Sequence, residues 1–106
     1  MLTQTSEQSS WSLVELGLVG VPAHVAEQGL PELQQKLSEL SYVRNPRTWW
    51  DATLSRILVN LEVSIAEEAE NFASDVVFDN FYEAFDPYLA EIVQFSKDGV
   101  TVEVLK

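Results

Sequence analysis

Carboxylates dominate the chemistry this chain can offer. Seventeen Asp and Glu residues stand against six Lys and Arg, one His and no Cys, a formal net charge of -11 over 106 residues. Their placement is uneven: between Ile57 and Ser96 lie nine acids, Glu62, Glu67, Glu68, Glu70, Asp75, Asp79, Glu83, Asp86 and Glu91, and no Lys or Arg. Asp75, Asp79 and Glu83 follow at i, i+4 steps, which on a helix sets carboxylates about 6 Å apart along the axis. Glu68 and Asp86 fall on the same side of the wheel. Like charges at this spacing weaken a helix slightly, so something else should compensate. Phe78, Tyr82 and Phe85 follow at i, i+4 and i+7 and flank the row. Aromatic anchors inside a charged rim are the anatomy of a protein-binding patch. A helix packed on one side leaves those rings near solvent, whereas a central helix makes them core. Asp75, Phe78, Asp79, Tyr82, Glu83, Phe85 and Asp86 are therefore the candidate partner-binding residues.

Other chemistries find less support. His24 has Glu27 at i+3, but no second His or Cys exists to complete a metal or acid-base site, so it reads as a surface or capping histidine. Asp75 to Asp86 matches a calcium loop in length, with Asp79 at the fifth position. Val77 at the third and Asn80 in place of the glycine reject that reading. Glycines 17, 20, 29 and 99 form no phosphate-cradling loop, and no nucleophile-elbow pattern surrounds any serine. Without cysteine there is no disulfide framework, thiolate zinc site or redox dithiol. No catalytic residue, metal or cofactor is assigned, and the expectation is a protein that is not an enzyme. Arg44, Arg47 and Arg56 cluster around Trp49 and Trp50. Their simplest role is pairing within the chain with the acidic helix and stacking on Trp.

A charge this negative repels phosphate backbones and anionic lipid, so direct contact with nucleic acid or membrane is not expected and a basic protein partner is favoured. Met1 to Ser10 lacks the basic start and apolar stretch of a signal peptide, and no apolar run approaches the ~20 residues that span a bilayer. A cytoplasmic protein is the expectation. The leading reading is a non-catalytic acidic interaction module, an adaptor or inhibitor docking a basic partner through the acidic, aromatic-flanked helix. An alternative is an immunity protein or nucleic-acid mimic that blocks a nucleic-acid-processing enzyme, its carboxylates standing in for phosphates spaced ~3.4 Å per strand. Mimicry needs two or more acidic rows on an exposed ridge, whereas an adaptor needs one row beside an apolar patch. A small carboxylate-dependent hydrolase is a third class, which requires an acid with a raised pKa inside a cleft.

The elements that position these residues read as follows. A polar tail, residues 1–10, precedes a single domain over residues 11–106, and 46% apolar content suffices for a core. Ser12 with Glu15 forms a capping-box pattern for a short helix limited by Gly17 and Gly20. Pro22 opens a segment stopped by Gly29, and Pro31 opens another over Glu32–Leu40. After Asn45-Pro46, the residues Trp50, Leu54, Ile57, Leu58, Leu61 and Ile65 fall within about 100° of a helical wheel. Ile57, Val59, Leu61 and Val63 also alternate, as a strand would. Ala66, Ala69, Ala73, Val76, Val77, Phe81 and Ala84 predict a helix over 65–85, and Asp86-Pro87 ends it and starts a short successor. Val93 and Phe95, then Val100, Val102 and Val104, alternate around Lys97-Asp98-Gly99 and predict a C-terminal hairpin, whose free edge offers a homodimer or partner-strand contact. The fold expected is α+β, a helix-dominated small single domain with a C-terminal β-hairpin. The alternative is a more balanced α+β fold with residues 56–63 as a strand in the same sheet.

Overall fold

A computed structural model describes residues 11–64 and 67–105; the tail expected over 1–10 lies outside the described residues, as do Ile65, Ala66 and Lys106. The element order is β1 (Ser12–Val19), α1 (Ala23–Ser38), β2 (Val43–Asp51), β3 (Arg56–Val63), α2 (Ala69–Ala84), a 3-10 turn (Asp86–Tyr88), α3 (Leu89–Phe95) and β4 (Thr101–Val104). The four strands form one antiparallel sheet in the order β2-β3-β1-β4. α1 and α2 cover one face, which is the split β-α-β arrangement of a small α+β domain.

Residues 56–63 are a strand, as in the more balanced alternative. Ile57, Val59, Leu61 and Val63 are buried in strict alternation along β3, which lies between β1 and β2. The helical stripe from Trp50 to Ile65 is not formed: Trp50 and Ile57 face each other across the β2–β3 pair, and Leu54 stands exposed in the turn between. A β-branched strand buried on one face and paired on both edges outweighs a weak helical period. The same physics corrects the helix start at Ser12. Val14, Leu16 and Leu18 alternate into the core while Leu13 and Glu15 turn outward, and β1 gains partners on both sides.

The two segments around Pro31 are one helix. α1 runs through Pro31 and buries Val25, Ala26, Gly29, Leu33 and Leu37 on one face. An interior proline costs about 3 kcal/mol, while a buried Leu or Val contributes roughly 1.5–3 kcal/mol, so several such residues carry the helix past it. The hairpin is also corrected. Val93 and Phe95 belong to α3, and β4 pairs with β1, not with them. The Lys97–Gly99 turn is present, with Gly99 at a left-handed φ of 81°, but it links α3 to β4. α2 lies within the helix expected over 65–85 but begins only at Ala69, because Glu67 and Glu68 form a turn with Glu68 at a left-handed φ of 55°, and Pro87 follows in the 3-10 turn. Asp86 makes no side-chain cap there.

The core joins the inward residues of β1 and β3 to Val25, Ala26, Leu33 and Leu37 of α1 and Ala73, Val77 and Phe81 of α2. No helix among the described residues is long and apolar enough to cross a membrane.

Candidate protein-interaction surface

α2 lays its small residues, Ala69, Ala73, Val76, Val77 and Ala84, on the sheet and α1. That choice turns the opposite side outward, where Glu70, Asn71, Asp75, Asp79, Tyr82 and Glu83 are exposed. Among the described residues no Lys, Arg or His lies within 4.0 Å of the Asp75 or Asp79 carboxylate. Glu83 differs, its Oε1 lying 3.3 Å from Lys36 Nζ on α1. Asp86 is exposed at the start of the 3-10 turn.

The three flanking rings part company. Tyr82 is 37% exposed and packs edge-on against half-buried Phe78, with ring centroids 4.7 Å apart. Phe85 is 0% exposed, stacked on Phe81 at 4.5 Å, and it lies so close to α1 that a Cβ on Gly29 would come within 2.3 Å of its ring. Phe85 is thus a core residue and not a surface anchor. The cause is α1, which closes over the C-terminal end of α2 and buries it on a second side. Phe72, opposite on the wheel, reaches Tyr42 at a centroid distance of 5.6 Å. Phe72 and Glu83 therefore mark the flank of α2 that meets Tyr42 and, on α1, Lys36. A shallow depression of about 360 Å³, lined by Glu67, Glu68, Asn71, Phe72 and Asp75, continues the acidic surface at the N-terminal end of the helix. The contribution of Tyr42 was not legible in the sequence, since it is thirty residues from its aromatic partner.

The arginines do not reach the acidic helix. Strand alternation sends Arg44 and Arg56 to the sheet face away from the helices. There Arg44 Nη2 donates to Glu62 Oε1 at 2.7 Å and its guanidinium lies 4.3 Å from the Trp11 ring centroid, so the stacking partner is Trp11, not Trp49 or Trp50. Arg56 bridges Asp51 of β2 at 3.2 Å and Glu103 of β4 at 3.3 Å. Gly17, beneath it on β1, has no side chain, and a Cβ there would meet Arg56 Cδ at 3.3 Å. Hydrogen bonds from Arg44 and then Asn45 hold the Glu62 carboxyl below its ordinary range, against the smaller opposing effect of burial.

His24 is exposed and its Nε2 lies 3.0 Å from Glu91 Oε2 on α3, not from Glu27. No group of three His, Asp or Glu side chains converges among the described residues, and no charged side chain there is buried.

No family model matches this chain, and no curated protein matches it. Among solved structures, one described as the structure of Rv0793 from Mycobacterium tuberculosis superposes with a TM-score of 0.49 and 14% identity, covering 90% of this chain and 94% of that one. That likeness assigns no activity to the chain.

Proposed function

We propose that the protein is a non-catalytic docking module, an adaptor or inhibitor that binds a basic protein partner through the outer face of α2. The observation that carries this reading is the exposed pair Asp75 and Asp79, without a described basic partner, beside the Phe78–Tyr82 aromatic pair. Unpaired carboxylates steer a basic surface and speed encounter, and the rings supply the apolar contact that slows release. Compared with the earlier anatomy, the anchors are two rings and not three. One acidic row beside an aromatic patch favours an adaptor over a nucleic-acid mimic, which would need further rows on a ridge.

The test is capture of partners from source lysate at low and moderate salt, with association rates then measured on the captured protein. Wild type should bind a basic protein with a rate that falls steeply as salt is added, and Asp75→Lys with Asp79→Lys should abolish the salt dependence and most of the binding. A partner indifferent both to ionic strength and to the double reversal overturns the proposal.

A further inference from the structure

The two edges of the sheet are finished differently. Along β2 the register breaks between Arg44 and Arg47, Asn45 takes a left-handed φ of 55°, and Pro46 removes a donor. Gln34 of α1 then covers what is left: its Nε2 donates to Pro46 O at 2.8 Å and its Oε1 accepts from Thr48 N and Oγ1 at 3.0 Å. Bulge, proline and a covering side chain are the devices that stop a further strand from adding. Among the described residues β4 has none of them. Its residues, Thr101–Val104, carry no Pro, no Lys and no register break.

The direction of the free groups follows from the ladder. Leu105 N donates to Glu15 O at 2.7 Å, so by antiparallel alternation Thr101, Glu103 and Leu105 bond toward β1 while Val102 and Val104 point their N–H and C=O outward. β4 also stops short of its neighbour. Its ladder covers Leu16–Val19 of β1, while β1 continues back to Ser12 on the β3 side. An open depression of about 360 Å³ lies at the Ser12 end of β1, lined by Ser12, Leu13 and Val14 and by Glu68, Ala69, Glu70 and Asn71. Leu13, whose main chain faces this gap by the same alternation, is 63% exposed.

We propose that the free edge of β4 takes an extended, Lys- or Arg-bearing segment of the basic partner as a fifth strand, running along Val102 and Val104. This rests on the reading of the molecule as a docking module for a basic protein, and it names how the partner is held. Glu68 and Glu70, exposed beside the depression at the Leu13 end, supply carboxylates there, while Glu103 is already held by Arg56 at 3.3 Å and Lys97 lies in the turn at the far end. A second copy of this chain fits poorly, since it brings together two molecules of formal charge -11. Main-chain bonding by strand addition gives affinity, and the alternating side chains give selection.

The experiment uses the full chain, isotopically labelled, and two capped peptides of equal length and charge, one alternating Lys with Val and the other Lys with Pro. At low salt the Lys-Val peptide should shift the Val102 and Val104 amides and slow their exchange, and the Lys-Pro peptide should not. Val104→Pro removes one outward donor and leaves the Leu105 bond to Glu15 intact, since proline is tolerated on an edge where its nitrogen faces solvent. It should weaken Lys-Val binding about tenfold with the β1–β4 amide pattern retained. If both peptides bind alike and only the Asp75/Asp79 reversal matters, the strand proposal is overturned while docking through α2 stands. Failure of both peptides at low salt overturns the two together. Protection of Val102 and Val104 that grows with protein concentration in the absence of peptide assigns the edge to a second copy and also overturns it.

Discussion

Tyr82 and Phe85 stand three residues apart on one turn of chain and serve different ends. Phe85 fills the contact with α1, where Gly29 gives its ring room against the helix backbone, and Tyr82 keeps one face in water. Phe85→Ala should therefore cost about 3–5 kcal/mol in a urea unfolding experiment, the range for a large core aromatic. Tyr82→Ala should cost about 1 kcal/mol or less and weaken partner binding instead. Equal stability losses for the two variants would contradict this division. The i, i+4, i+7 spacing marked both rings as members of one stripe. It could not separate them, because the difference arises from where α1 runs, and Gly29 lies fifty-six positions upstream of Phe85.

At the scale of elements, β2 and β3 are tied on their outer face by Arg44 and Glu62, and this tie makes a pH prediction. The folded-state pKa of Glu62 lies below its ordinary value of 4.5, so ionised Glu62 contributes stability above that value and loses it as pH falls toward the folded-state pKa. In urea unfolding, wild type should exceed Glu62→Gln at neutral pH, and the gap should close as pH drops below about 4.5. A gap that is constant or widens in acid would show that the pair does not stabilise the fold. The strand itself was legible as the alternation Ile57, Val59, Leu61, Val63, in competition with a helical stripe over nearly the same residues. Sheet pairing decided between them: β3 has a hydrogen-bonded neighbour on each side, and no helix there could have offered its neighbours the same bonds. The Ser12–Glu15 capping pattern yielded to β1 for the same reason, since a cap is worth about 1 kcal/mol and burial of Val14, Leu16 and Leu18 is worth more.

For the whole molecule, the excess of acids sets opposite responses to salt. Raising ionic strength from about 10 to 150 mM shortens the screening length from about 30 to 8 Å, which relieves repulsion among surface carboxylates and also screens attraction to a basic partner. The unfolding temperature should rise across that range while association slows; a falling unfolding temperature would mean that the Arg44 and Arg56 ion pairs outweigh the net repulsion. The amino-acid sequence by itself determined the quantities that local pattern and composition control: the charge of -11, the acidic face of α2 against its face of small residues, the alternation of β3, and the turn at Lys97–Gly99. Tertiary structure alone decided that β4 pairs with β1, that the arginines lie across the sheet from the acidic helix, that Phe85 is core, and that one sheet edge is sealed by Gln34 and the other is open. The reason is physical: periodicity tells which side of an element is apolar, but how many of its sides are covered, and by which neighbour, depends on pairings between residues far apart in the chain.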